Sequence, residues 1–239
     1  MHPDPTHFLS RVGISTPLIG FYDAPDPSPY DPLVRPEQKG HVCIFAFYDN
    51  WLNGETLHIT KDNFGCGGTG HHLFGISERS REDFVSFLVD DEGLKSSHDL
   101  MNQWLDSRKA YTPEHPNILV GPLREDQYEY LKSITLYVNP DQLSVLMLGA
   151  QYNSGPSDPP AVIAPFGSGC MELLPLFEDL SIPQAMIGAT DIAMRQFLPP
   201  DILAFTVTKS MFRQLCELDE RSFVYKPFWK NLKEAREQR

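Results

Sequence analysis

The chain has 239 residues, 41% of them hydrophobic and 22% charged, and 20 Lys and Arg stand against 32 Asp and Glu for a formal charge of −12. A length of this order can bury a sizeable core. The acidic balance argues against a nucleic-acid backbone or an anionic membrane surface as the main partner, because both require a dense cationic face.

Four cysteines without a dense framework suit a reducing compartment. No basic segment followed by an apolar stretch marks the start, and no window approaches the roughly 20 apolar residues of a membrane span. The expectation is a cytoplasmic protein of one domain over residues 1–239. It carries an N-terminal extension and a proline-rich loop at 24–38, which begins Ala24-Pro25-Asp26-Pro27-Ser28-Pro29. Val42 to Tyr48 is too short for periodicity to separate a buried strand from a helix; Gly54, standing where a helix would need a C′ glycine, favours the helix, with Glu55 to Thr60 as the strand after it. Amphipathic helices are expected near 80–91 and 97–107.

The second half is more regular. Ile134 to Val138 is a β-rich run, and Asn139-Pro140-Asp141 supplies an N-cap, a first-turn proline and a first-turn acid. Leu143, Leu146, Met147 and Ala150 then form a helical apolar face. After a second proline-rich stretch at 154–160, Ala161 to Phe166 is expected as a strand. Ile202 to Val207 is another, and Thr208 caps a helix carrying Phe212, Leu215 and Cys216. Strand–helix units in series predict an α/β fold (α+β being the neighbouring class), with a mixed β-sheet covered by helices.

The most chemical segment is Asn63-Phe64-Gly65-Cys66-Gly67-Gly68-Thr69-Gly70-His71-His72. Its glycines free the backbone, and a glycine turn opening a helix presents N–H groups to an anion or a thiolate. The segment lacks the lysine of a phosphate loop and the spacing of a dinucleotide fingerprint. Phe166-Gly167-Ser168-Gly169-Cys170 repeats the setting, without the Gly-x-Ser-x-Gly pattern of a nucleophile elbow. The two turns would meet at strand ends if their strands were parallel neighbours. Cys43 and Cys216 lie in apolar surroundings and read as core. There is no C-x-x-C pair, so a metal site would have to gather Cys43, Cys66 and Cys170 from distant segments. Helical spacing turns His71 and His72 away from Cys66. Asp191 and Arg195 stand four apart, as a helical ion pair or as an arginine that holds an anion.

This order of features is a cysteine in an apolar segment, a Leu-x-Ile-Thr strand, Cys66-Gly67-Gly68, Asn139-Pro140-Asp141-Gln142, Gly169-Cys170, then Asp191 and Arg195. It resembles the archaeal and bacterial family called domain of unknown function 169, from about Pro17 to the helix after Thr208. The resemblance implies a fold and no reaction. It marks Cys43, Cys66 and Cys170 as the recurring cysteines and leaves out Cys216.

The leading expectation is a small ligand or cofactor held by Cys66, Gly67, Gly68, Gly169, Cys170 and Arg195. An iron–sulfur cluster or thiolate-bound metal on Cys43, Cys66 and Cys170 is its sharper form. Two rivals stand beside it. One is a cysteine-nucleophile enzyme of acyl-transfer or amide-hydrolysis type, with His58, His71 or His72 as base. The other is a structural or interaction protein with no site.

Overall fold

A computed structural model describes residues 4–36, 43–63, 80–107, 111–167, 170 and 182–238. Eight strands form one sheet: β1 (Ile19–Ala24), β2 (Leu33–Val34), β3 (Thr56–Ile59), β4 (Asn117–Pro122), β5 (Leu131–Val138), β6 (Val162–Ile163), β7 (Ala185–Gly188) and β8 (Leu203–Val207). Their order is β2-β3-β4-β1-β5-β8-β7-β6. The interior pairings are antiparallel, and each edge strand pairs parallel to its neighbour, β2 with β3 and β6 with β7. The sheet is therefore mixed, as the strand–helix units predict.

Seven helices accompany it among the described residues: α1 (Thr6–Val12), α2 (Tyr48–Leu52), α3 (Arg81–Ser86), α4 (His98–Asp106), α5 (Pro140–Gln151), α6 (Lys209–Cys216) and α7 (Pro227–Glu237). A 3-10 turn, Ile44–Phe47, runs directly into α2. Gly54 follows α2 at φ +86, the left-handed position that favours glycine, and its N–H reaches the Trp51 carbonyl. Helix α5 starts in a complete capping box: the Asn139 side chain accepts from the Gln142 N–H, and the Gln142 side chain accepts from the Asn139 N–H, both at 2.9 Å. The Thr208 hydroxyl caps α6 by accepting from the Met211 N–H.

Side chains alternate across the sheet and build two cores. Tyr22, Leu119, Ile134, Leu136, Val138 and Phe205 join the first core with α1, α5, α6 and Trp229 of α7. Ile19, Phe21, Leu57, Ile59, Ile118 and Val120 face the second, under Ile44–Leu52 and the 189–198 loop. Cys216 packs against the first core as a half-buried thiol, and burial pushes its pKa up to about 12. That suits its reading as an inert packing residue.

Two expectations change. The strand expected over Ala161 to Phe166 is only Val162–Ile163, because Pro160 and Pro165 remove ladder donors on either side. The condition for the two glycine turns to adjoin also fails. Five strands separate β3 from β6, and the pairing directions make the two run opposite ways.

Gly20 and Gly121 pair across β1 and β4. A Cβ on Gly121 would lie 2.8 Å from the Thr56 Cα, a backbone contact that cannot rotate away. Gly121→Ala is therefore expected to lower stability by about 1–3 kcal/mol through overpacking, measured as a fall in the urea midpoint.

Candidate functional site

The second face of the sheet gathers the features with chemical potential. Strand β5 is buried on both faces, and its alternation puts Ile134, Leu136 and Val138 on one side and Ser133, Thr135 and Tyr137 on the other. The hydroxyl side faces the segment that starts at Cys43. Thr135 and Thr206, cross-strand partners on β5 and β8, hydrogen-bond to one another at 2.8 Å. Tyr137 sits in an aromatic stack, with the Trp51 ring centroid 5.9 Å away at 27° and the Tyr48 ring edge-on at 4.9 Å. Burial first, then the electrostatic influence of Tyr48 and Cys43, hold the Tyr137 phenol well above its ordinary pKa. Tyr137 belongs to the core against which Cys43 packs.

Cys43 and Cys170 are both half-buried, and both pack against this second core. The fold brings these two family cysteines onto one face although they lie far apart in sequence. The loop leading to Cys170 is pinned at several points. The Gly167 carbonyl accepts from the Thr190 hydroxyl at 2.6 Å, Phe166 meets Trp104 of α4 edge-on at 4.9 Å, and the Lys95 ammonium lies 4.0 Å above the Phe166 ring. Gly167 takes φ +83, so the expected turn before Cys170 uses a conformation suited to glycine. Cys66, Gly67, Gly68, His71, His72 and Gly169 lie outside the described residues. Among the described residues, no three His, Cys, Asp or Glu side chains group as metal ligands.

Arg195 takes a different part from the one its spacing suggests. Residues 189–194 are not helical, and Arg195 begins a 3-10 turn, Arg195–Phe197. Its guanidinium donates to the carbonyls of Ala189, Ile202, Pro199 and Pro200. Asp191 instead accepts from the Ala193 N–H. The arginine ties its loop to the start of β8, and its in-plane donors are turned to the backbone and away from a ligand.

His58 is likewise occupied. It points to the opposite face from Leu57 and Ile59, accepts from Arg35 Nε at its Nδ1 (3.1 Å), and pairs through Nε2 with Asn117 Oδ1 at 2.8 Å. The arginine can only donate, so the ring proton sits on Nε2. Asn117 in turn donates to the carbonyls of Ala24 and Pro25. With both nitrogens held across β2, β3 and β4, His58 does not serve as the base of a cysteine nucleophile.

Fully buried Asp23 is a polar anchor that no motif announced. It accepts from the Tyr111 hydroxyl at 2.5 Å and from the N–H groups of Glu114 and His115 at 2.7 and 2.9 Å, with His115 Nδ1 at 3.3 Å. Burial and the Asp23 carboxylate raise the Tyr111 phenol pKa. The anchor fixes the 111–116 loop and lays Tyr111 against the second core. A carboxylate inside the apolar run Ile19–Ala24 is the signal that marks it in the sequence.

These features define a mixed-sheet α/β protein that keeps the hydroxyl-bearing side chains of its central strand β5 and two thiols on one face. The chain belongs to the family DUF169, an uncharacterised ArCR family, whose profile matches residues 13–218. No curated protein and no solved structure matches the chain. No helix among the described residues is long and apolar enough to cross a membrane.

Burial, aided by the nearby Arg35 charge and opposed by the Asn117 hydrogen bond, lowers the His58 pKa from its ordinary 6.5. The unfolded chain therefore binds the extra proton first. The stabilisation is full above pH 6.5 and is lost as pH falls through the depressed folded value. His58→Gln is expected to lose less stability than the parent between pH 7 and pH 5, read from urea unfolding at both pH values. Asn117→Ala, which strands the Nε2–H and two carbonyls, is expected to cost about 1–3 kcal/mol at pH 7.

Proposed function

We propose that this is a cytoplasmic protein that binds a small ligand or cofactor on the second face of its sheet, through Cys43, Cys66 and Cys170. Its sharpest form is a thiolate-bound metal or iron–sulfur cluster. The observation that carries the reading is the packing of Cys43 and Cys170 against one core from remote parts of the chain. Half-buried thiols in apolar surroundings suit soft metals, which thiolates prefer to oxygen ligands. Gly67, Gly68 and Gly169 flank the remaining thiols and would let backbone N–H groups approach a sulfur or an anion, the usual way such sites are tuned. Arg195 is left out of this site because its guanidinium donors are engaged by four carbonyls.

Purification without oxygen, followed by absorbance and metal analysis, tests the reading. Bound metal in stoichiometric amount is expected, and it should fall at least tenfold in Cys43→Ser and in Cys170→Ser while Cys216→Ser retains it. A colourless, metal-free protein whose three thiols react freely, with no small molecule released on denaturation, would falsify it.

A further inference from the structure

Below the segment that follows Cys43 lies a cavity of about 20 Å³, about the space needed for a single water. Its walls include Ile44, Phe45, Trp51, Tyr137, Thr135 and Thr206, and no charged side chain among the described residues lines it. Trp51 is 1% exposed, and its indole N–H has no acceptor among the described residues. Among the described residues, the only hydrogen bond of the Thr135 and Thr206 hydroxyls is the one between them. One hydroxyl donates in that pair, so the other still has a proton to give. Trp51, Thr135 and Thr206 all line the cavity, and two of their donors lack an acceptor among the described residues; leaving such a group unpaired in the interior costs about 1–3 kcal/mol.

The lining decides the class of guest. An anion would be buried with no cation beside it, and a cation would face donors, so both are disfavoured. An apolar guest would leave the N–H unpaired. We infer that this cavity is a binding site for one ordered water molecule, which accepts from the Trp51 indole and from the Thr135–Thr206 pair. The assignment is independent of any ligand on the cysteines.

Nuclear magnetic resonance on nitrogen-15-labelled protein tests it. The chain has three tryptophans, so Trp104→Phe and Trp229→Phe assign the Trp51 indole signal without altering the cavity. That proton is expected to show a cross-peak at the water frequency, with the sign of a long-lived bound molecule and not of chemical exchange. The Thr135→Val/Thr206→Val variant, similar in shape but without hydroxyls, is expected to lose the peak while unfolding cooperatively. Absence of the peak in the parent protein overturns the site. Its persistence in a folded double valine variant overturns the part assigned to the hydroxyls. Should the double variant not fold, Thr206→Val alone is expected to reduce the peak at least twofold, and an unchanged peak there overturns the same part.

Discussion

The architecture depends on the central strand Leu131–Val138, which is buried on both faces and yet differs between them. Its hydrocarbon side, Ile134, Leu136 and Val138, seals against helices and contributes to the larger core. Its hydroxyl side, Ser133, Thr135 and Tyr137, must find partners or guests, because an unpaired buried polar group is costly. The fold pairs the two threonines, packs Tyr137 in an aromatic stack and leaves a small cavity beside them, while the Ser133 hydroxyl has no partner among the described residues. A strand that wanted only stability would carry hydrocarbon on both sides. Polarity kept at the centre of one face is the reason to look for the working surface there.

The elements around that face are fixed by polar anchors as well as by packing. Asp23 holds the 111–116 loop, Arg195 holds the 189–202 loop through its carbonyls, and Thr190 holds the turn that precedes Cys170. On the opposite face, Arg35, His58 and Asn117 form a chain across three strands. Such networks are specific because each member leaves a costly orphan when another is removed. They keep loops in place that have little regular structure of their own.

Local rules made part of this legible in the sequence. The N-cap at Asn139, the threonine cap at Thr208 and the glycine after α2 depend on short-range geometry, so the residues state them directly. Strands β4 and β7 escaped because runs such as Asn117–Pro122 and Ala185–Gly188 are short and buried on both faces, and show no alternation. Arg195 misled because Thr190 to Arg195 has helical spacing, whereas Ala189 at φ +61 and Pro199-Pro200 break the helix on either side. The cysteines were visible as oddities. Their convergence on one core follows from strand order, which no local pattern encodes.

The central claim is that thiols from distant segments serve one site on the hydroxyl-bearing face. Titration of the reduced, metal-free protein with cadmium(II) tests it most directly, because a cadmium–thiolate bond absorbs in the near ultraviolet where neither partner does alone. The account predicts saturation at one ion per chain, with a band that survives Cys216→Ser and is lost in Cys43→Ser and in Cys170→Ser. A band that depends on Cys216, or the same weak band in the parent and in both Cys43→Ser and Cys170→Ser, would contradict it.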